Sequence, residues 1–403
     1  MTMFGLKEAE VAELVRHVAR RDLDRERIEE VFARCAWAGI AEPGDGVAGR
    51  LVAAVGPPAA LTVLIEQRPA EEVAAALGED VAVREVQHAL DRWRPRLDSA
   101  LALGNVRHAI RLGMRVAAPG DEEWPPGLDD LGPHAPHVLW LRGRDDILPT
   151  LSPSVAIVGA RAATGYGEHL ATEWSAGLSD RGIGVVSGAA YGVDGVAHRA
   201  ALASGGTTVA VLAGGADRFY PAGHDALLTR IAAEGCVISE LPCGSQPTKW
   251  RFLQRNRIIA AITDATVVVE AGWRSGSLNT AGHAAALGRP VGAAPGPVTS
   301  SASAGCHRLV RDFDATLVTR VDEILELLPG HSLAAAAGES ERTDPRHTRL
   351  LDALSPRSAR ELAELAARSG LSPADVRAAL GELELTGAVR DTGLGWVRAV
   401  SGG

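Results

Sequence analysis

The chain has 403 residues, 46 % of them apolar, so it can bury several cores and wholesale disorder is excluded. Its formal net charge of −9 excludes a protein that coats polyanions over its whole surface, so any nucleic-acid site must be a local basic patch. Cys35, Cys236, Cys243 and Cys306 form no C-x-x-C pair, which argues against a zinc or dithiol centre and for a reduced, cytoplasmic compartment.

Residues 1–112 read as a helical domain. The N-terminus carries acids where a signal peptide needs an apolar core. Glu8–Arg20 is amphipathic, and Val73–Arg94 keeps helix formers and charges at helical spacing until Pro95. The most apolar run, Leu51–Ile65, is short and broken by Pro57 and Pro58, so no membrane span is expected. It follows a Gly46-x-x-Gly49 start like that of a helix–hairpin–helix or sterile-alpha-motif bundle; ordinary helical packing is the simpler reading.

From residue 113 the texture changes. Arg115–Gly143 holds five prolines and two tryptophans and reads as an irregular arm that leads into extended Val138–Leu141. A regular alternation then begins. The strand candidates are Val155–Val158, Gly184–Val186, Thr208–Leu212, Val237–Ser239, Ala265–Val269 and Val291–Ala293. Between them lie the helix candidates Glu168–Leu178, Val193–Leu202, Ala222–Ala233, Phe252–Ile262 and Ser277–Leu287. Strands alternating with helices of this length predict a Rossmann-like, doubly wound α/β domain with a mostly parallel sheet, here over 113–330. Residues 331–344 read as a linker. Residues 345–403 carry three helical patterns and a hairpin with a Gly393–Gly395 tip, the order of a winged helix. Ser372 and Asp375 make a capping box before its third helix, with Pro373 at the first helical position.

Three glycine- or serine-rich turns follow strands of the α/β domain. In the first, VGARAATGYG, a strand runs through Gly159 into a helix, an arrangement that aims backbone amides at an anion. Arg161 stands where a dinucleotide fingerprint needs its second glycine, and no acid ends the second strand, so the turn fits a phosphate gripped by an arginine better than NAD. In the second, SGAAYGVD, Ser187 and Gly188 offer a hydroxyl and open backbone to an anion. Asp194 and His198 lie four apart and read as a helix cap and a core residue more readily than as an acid–base pair. In the third, SGSLNTA, Ser275, Gly276, Ser277 and Thr280 form a cradle that lacks the G-K-[ST] of an ATPase loop. Phe219–Tyr220–Pro221 is expected to wall the cleft.

The most informative stretch for charge is Lys249–Arg257, KWRFLQRNR, with four cations (Lys249, Arg251, Arg255, Arg257), no acid, and Trp250 and Phe252 interleaved. Cations for phosphates beside aromatics for bases fit a single strand. Four neutralised phosphates would give log affinity a slope of about −3 against log salt. On this reading Arg255 and Arg257 lie at the surface, and reversing both charges weakens binding without disturbing the fold.

Taken together, VGARAATGYG, SGAAYGVDGVAH, VAVLAGG, FYPAGH, RNRIIAAI, VVVEA, SGSLNTA, GRPVGAAPGPV and GCHRL closely resemble the DNA-processing protein A family, also called Smf, over Val155–Leu309. The resemblance implies a non-enzymatic, homodimeric protein that binds and protects incoming single-stranded DNA and loads the RecA recombinase during natural transformation, with no cofactor. It implies phosphate contacts by Arg161, Arg255 and Arg257 around Asn256, with Ser187–Gly188 and Ser275–Ser277 in the same pocket. Ala160 departs from the family's serine and removes a hydroxyl; Leu253 replaces a frequent proline. In the tail, Ala374–Thr386 has three acids against Arg377 alone, which suits a protein partner better than a major groove. Two other function classes share this layout: a nucleotide phosphoribohydrolase of the lysine-decarboxylase-like group, and a winged-helix regulator with a ligand-sensing α/β domain.

Overall fold

The computed structural model describes residues 2–78, 81–330 and 344–399 and divides into two compact units, residues 1–331 and 332–403. Most of the expected linker, Leu333–Thr343, lies outside the described residues.

In the first unit a small hairpin, β1 (Thr2–Met3) and β2 (Leu6–Lys7), precedes seven helices: α1 (Glu8–Ala19), α2 (Arg25–Ile40), α3 (Gly46–Val55), α4 (Pro57–Ile65), α5 (Ala70–Leu77), α6 (Val83–Trp93) and α7 (Ser99–Arg111). Aspartates start three of them: Asp24, Asp45 and Asp98 accept from backbone amides of the first turns of α2, α3 and α7. The run expected over Val73–Arg94 is two helices, because Gly78, at φ +89°, ends α5 in a conformation other residues resist. Trp37 and Trp93 meet edge to face at the centre of this bundle. The bundle does not close on itself. Its core is continuous with Trp140, Ala210, Leu212 and Val237 from the sheet and with Val138 just before β4. No single described helix is long and apolar enough to cross a membrane; α3 and α4 pass only as a pair bent by 111°.

The sheet has nine strands: β3 (Arg115–Ala117), β4 (Leu139–Gly143), β5 (Ser154–Val158), β6 (Gly184–Ser187), β7 (Thr208–Leu212), β8 (Cys236–Ser239), β9 (Ala265–Val268), β10 (Val291–Ala293) and β11 (Thr316–Leu317). Their order is β11-β10-β9-β5-β6-β7-β8-β4-β3. The run from β11 to β8 is parallel, and β4 and β3 add antiparallel strands at one edge. Strands β5 to β10 are buried on both faces, as a parallel sheet must be. Val155, Ile157, Val185 and Val267 point to one core, with Trp174 of α8 (Gly165–Ser179), while Ala156, Val158, Val186 and Val268 point to the other, with Ile258 of α11 (Lys249–Ala261). Strand β5 lies between β6 and β9, so the chain leaves it in both directions, and the crevice at its C-terminal end is where such folds bind ligands. Around that end start α8, α9 (Val193–Ala203), α11 and α12 (Ser277–Ala286); α10 (Asp225–Glu234), α13 (Ala304–Asp312) and α14 (Val321–Leu325) complete the layers.

The second unit has α15 (Pro345–Ala353), α16 (Leu362–Ser369), α17 (Pro373–Leu385) and a hairpin of β12 (Val389–Asp391) and β13 (Trp396–Arg398), the winged-helix order. Leu350, Leu365, Val376, Leu380 and Val389 form its core, and Ser372 caps α17 by accepting from the Asp375 amide at 3.2 Å.

Candidate nucleic-acid interface

The three turns converge at the C-terminal end of the central strands, but their polar groups are largely spent on one another. Gly159 is a glycine because a Cβ there would meet Val193 at 2.6 Å; the first turn packs directly on α9. The helix start behind it is also taken. Buried Glu270, just beyond β9, accepts from the Thr164 amide and hydroxyl, each at 2.8 Å, beside the first turn of α8. A carboxylate so placed repels an anion from this turn's backbone, and among the charged side chains of the turn Arg161 is the exposed one.

The second turn corrects the expectation of an open anion seat. The buried Ser187 hydroxyl donates to the Ile157 carbonyl at 2.7 Å, so it is not free. The Gly188 amide donates to Asp194 at 3.2 Å, and its carbonyl accepts from Arg255 at 2.7 Å. Asp194 also accepts from the Ala190 amide, and burial raises its carboxyl above the usual range despite those bonds and the Arg255 charge. His198 is buried, paired through Nδ1 with the Thr208 hydroxyl at 2.7 Å. Both residues of the possible acid–base pair therefore serve the structure.

The basic stretch is corrected in the same sense. Helix α11 begins earlier than the apolar pattern suggests, at Lys249, because Thr248 accepts from the Arg251 amide at 3.2 Å and caps it. Arg251 forms a fork with Glu42 at 3.0 and 2.9 Å. Arg255 is buried, donating to the Gly188 and Val211 carbonyls and to Asn256; burial pushes its pKa down to about 10. Arg257 is only 2 % exposed and grips Glu240 at 2.8 and 2.6 Å, with further bonds to the His134 and Gln254 carbonyls. Asn256 ties α11 to the third turn through the Gly276 carbonyl at 3.2 Å and Asn279 at 3.1 Å. In that turn the Ser275 and Ser277 hydroxyls bond each other at 2.8 Å, Ser277 and Thr280 are buried, and Gly276 is exposed. Arg255 and Arg257 are thus not surface cations: the C-terminal half of α11 is buried all round, and the two point to opposite sides of it, Arg255 to the Gly188 and Val211 carbonyls and Arg257 to Glu240 and the His134 carbonyl.

What remains open is compact. Exposed Arg161 makes no hydrogen bond or ion pair among the described residues, and its guanidinium lies 4.8 Å from the centre of the half-buried Phe252 ring. The exposed ring of Tyr220 is 5.7 Å from the same ring. Exposed Lys249 stands three residues before Phe252, at the first position of α11, with no acid in that first turn. A cation at a helix N-terminus adds to the positive end of the dipole and is unfavourable for the fold alone, whereas an anion there is stabilised. The sequence marks Tyr220 only as a wall of the cleft, yet it belongs to the open cluster. Glu270, which closes the first turn, is the residue that sequence reasoning misses, and an acid ending an otherwise apolar strand is the signal that could have found it.

Two buried histidines make the unit acid-sensitive. Burial pushes His198 down to about 3 and, with help from the Arg34 charge, His137 down to about 4. Both are neutral when folded and take up a proton on unfolding near pH 6.5. Their contribution is therefore intact above that pH and lost as pH falls toward 4. By about pH 4.5 each withdraws about 2–3 kcal/mol. Urea titrations across this range should show the midpoint falling, and falling less in His198→Gln.

Comparison with known proteins gives this geometry its relatives. The model of the family described as DNA recombination-mediator protein A matches residues 115–329, and that of the DprA winged helix domain matches residues 334–393. The chain is 45 % identical over 376 residues to a putative DNA processing protein DprA of Mycobacterium tuberculosis, covering 87 % of this chain and 91 % of that one. It is 37 % identical over 251 residues to protein Smf of Escherichia coli, covering 62 % and 64 %. The solved structure of DNA processing protein A from Streptococcus pneumoniae superposes with a TM-score of 0.57 at 29 % identity, over 73 % of this chain and 96 % of that one.

Proposed function

The chain belongs to the DNA recombination-mediator protein A family, and from that membership we propose that it binds single-stranded DNA at the cluster of Arg161, Lys249, Phe252 and Tyr220. The observation that carries this reading is the stack of Arg161 on Phe252 beside Tyr220, with the free ammonium of Lys249 at the adjoining helix start. Guanidinium and aromatic planes accept an unpaired base, while the two cations take its phosphates. A duplex keeps its base faces stacked inside and offers such planes nothing to hold.

The binding is non-catalytic and takes place in the cytoplasm, as part of protecting incoming DNA and passing it to a RecA-type recombinase. The use of Asp194 and His198 as structural partners favours a binder over a phosphoribohydrolase. Homodimer assembly belongs to the same proposal: β11 is an edge strand and Leu317 on it is exposed, an edge that a second copy can extend. The winged helix serves a protein contact, since α17 bears Asp375, Glu382 and Glu384 against Arg377 and exposes Leu385 at its end.

Fluorescence anisotropy with labelled oligothymidylate and with a duplex, at several salt concentrations, tests the reading. Tight, salt-sensitive binding of the single strand alone is the expected result. Because three of the four arginine and lysine side chains in Lys249–Arg257 are paired internally, Arg161 and Lys249 leave two phosphate contacts. The log–log salt slope should then be about −1.4. Equal affinity for duplex, or release of free base from a nucleoside monophosphate, would sink the proposal.

A further inference from the structure

The second turn holds an aromatic that neither the core nor the cluster at Phe252 uses. Tyr191 is 49 % exposed, and none of the four core clusters includes it. Ala189 and Gly192, at φ +55° and +76°, bend the chain tightly around it. Its ring centre lies 4.9 Å from that of the buried His224, with the two planes at 69°. Whichever ring presents its edge, at least one face of the tyrosine is left clear of the histidine. The Tyr191 hydroxyl accepts from the Gly223 amide at 3.3 Å, its one hydrogen bond among the described residues.

We infer that Tyr191 is a second stacking platform: Arg161 holds the phosphate between two bases, one on Phe252 and Tyr220 and the next on Tyr191. The inference rests on the reading of the Phe252 cluster given above. Two sets of contacts put the rings on one track. Tyr191 and Arg161 stand on touching turns, since a Cβ on Gly192 would collide with the Ala160 and Arg161 carbonyls, and the Val193 amide donates to the Ala160 carbonyl at 3.2 Å. From that anchored backbone the Arg161 guanidinium lies over Phe252. A single loop then joins the two aromatic sites. Tyr220, against Phe252, and Gly223, against the Tyr191 hydroxyl, are three residues apart, a span of at most about 11 Å. The same loop carries exposed Arg218, which makes no hydrogen bond or ion pair among the described residues. The acids of these segments are occupied. Buried Asp194 accepts from the Gly188 and Ala190 amides, Asp217 accepts from the Gly244 amide at 2.9 Å, and Asp225 opens α10, where it offsets the positive end of that helix. A ring with an open face beside an unpaired guanidinium suits a flat base on a phosphate chain. An anchor for the loop would need the tyrosine's hydroxyl and not its ring, whereas a platform needs the ring and not the hydroxyl.

The experiment compares wild type, Tyr191→Ala, Tyr191→Phe and Phe252→Ala by anisotropy at several salt concentrations. The probes are a labelled oligothymidylate of about 20 nucleotides and an abasic strand of the same length, which has the phosphates but no bases. Tyr191→Ala should weaken oligothymidylate about 5- to 100-fold, keep the wild-type salt slope and bind the abasic strand as wild type does. Tyr191→Phe, which keeps the ring and loses the hydroxyl, should stay within about twofold of wild type. Far-ultraviolet circular dichroism checks the fold. Wild-type affinity of Tyr191→Ala for oligothymidylate, with Phe252→Ala weakened, overturns the second platform and leaves the first standing. Wild-type affinity in both alanine variants overturns the DNA site as a whole. If Tyr191→Phe is as weak as Tyr191→Ala, or Tyr191→Ala loses affinity for the abasic strand as well, Tyr191 acts by holding the loop and Arg161 in place, and the inference is wrong.

Discussion

Arg257→Ala is expected to destabilise the first unit by about 3–5 kcal/mol, the cost of leaving one member of a buried ion pair alone. The guanidinium fills a site where every neighbour is defined: both Glu240 oxygens, the His134 carbonyl and the Gln254 carbonyl. Removing it strands a carboxylate of which the side chain is only 10 % exposed. Charge reversal is worse, since it sets two carboxylates against each other out of reach of water. An Arg255→Glu, Arg257→Glu double variant is therefore expected to fail to fold, and its failure to bind DNA would say nothing about which groups touch the strand. The measurement is chemical unfolding of Arg257→Ala, Glu240→Ala and Arg257→Met with Glu240→Leu. Both single variants should fall well below wild type, and the apolar pair should recover much of that stability because no charge is left unpaired. A single variant as stable as wild type would show that the pair contributes nothing net.

Arg161→Glu with Lys249→Glu should lower affinity for single-stranded DNA by about two orders of magnitude at about 0.05 M salt without lowering the unfolding midpoint, since an acid at the start of α11 favours the helix. Each phosphate neutralised on a single strand contributes about −0.7 to the log–log salt slope, a factor of roughly eight between about 1 M and 0.05 M. Removing both cations therefore costs a factor of about sixty, and two carboxylates facing the DNA backbone add repulsion. Both side chains are exposed and make no hydrogen bond or ion pair among the described residues, so the fold has no reason to notice. The salt slope of the variant should approach zero. Retained affinity with an unaltered slope would move the phosphates elsewhere, with the exposed Arg218 and Arg274 as the next candidates.

The physical contrast between Arg257 and Arg161 explains how a basic cluster can mislead. Lys249, Arg251, Arg255 and Arg257 look alike in sequence, four cations in nine residues without an acid. Helical geometry distributes them around α11. Lys249 and Phe252 come to the solvent side at its start, Arg255 turns to the Gly188 and Val211 carbonyls, and Arg257, two residues on, points the opposite way to Glu240 and the His134 carbonyl. Their acids come from far along the chain: Glu42 for Arg251 and Glu240 for Arg257. No local pattern announces such partners.

Much was determined by the sequence alone. The alternation of apolar runs with helical patterns placed β5 through β10 within a residue or two, because strands buried on both faces must be apolar throughout. The Ser372 cap and the Gly393–Gly395 turn placed the winged helix in the same way, through chemistry that acts over a few residues. Short strands such as β3 and β11 carry too few residues to show a period, and sheet partners alone define them. For the site, the sequence supplied the elements and the residue types: Arg161 in place of a glycine, and aromatics among cations. Only the tertiary structure decided which groups remain free. Glu270 and Glu240 reach across from other segments to occupy the first turn and Arg257, and Asp194 folds back on the amides of its own turn, leaving Arg161, Lys249, Phe252 and Tyr220 to face the solvent. Availability of a polar group is a property of all its neighbours in space, and those neighbours are fixed by packing rather than by adjacency in the chain.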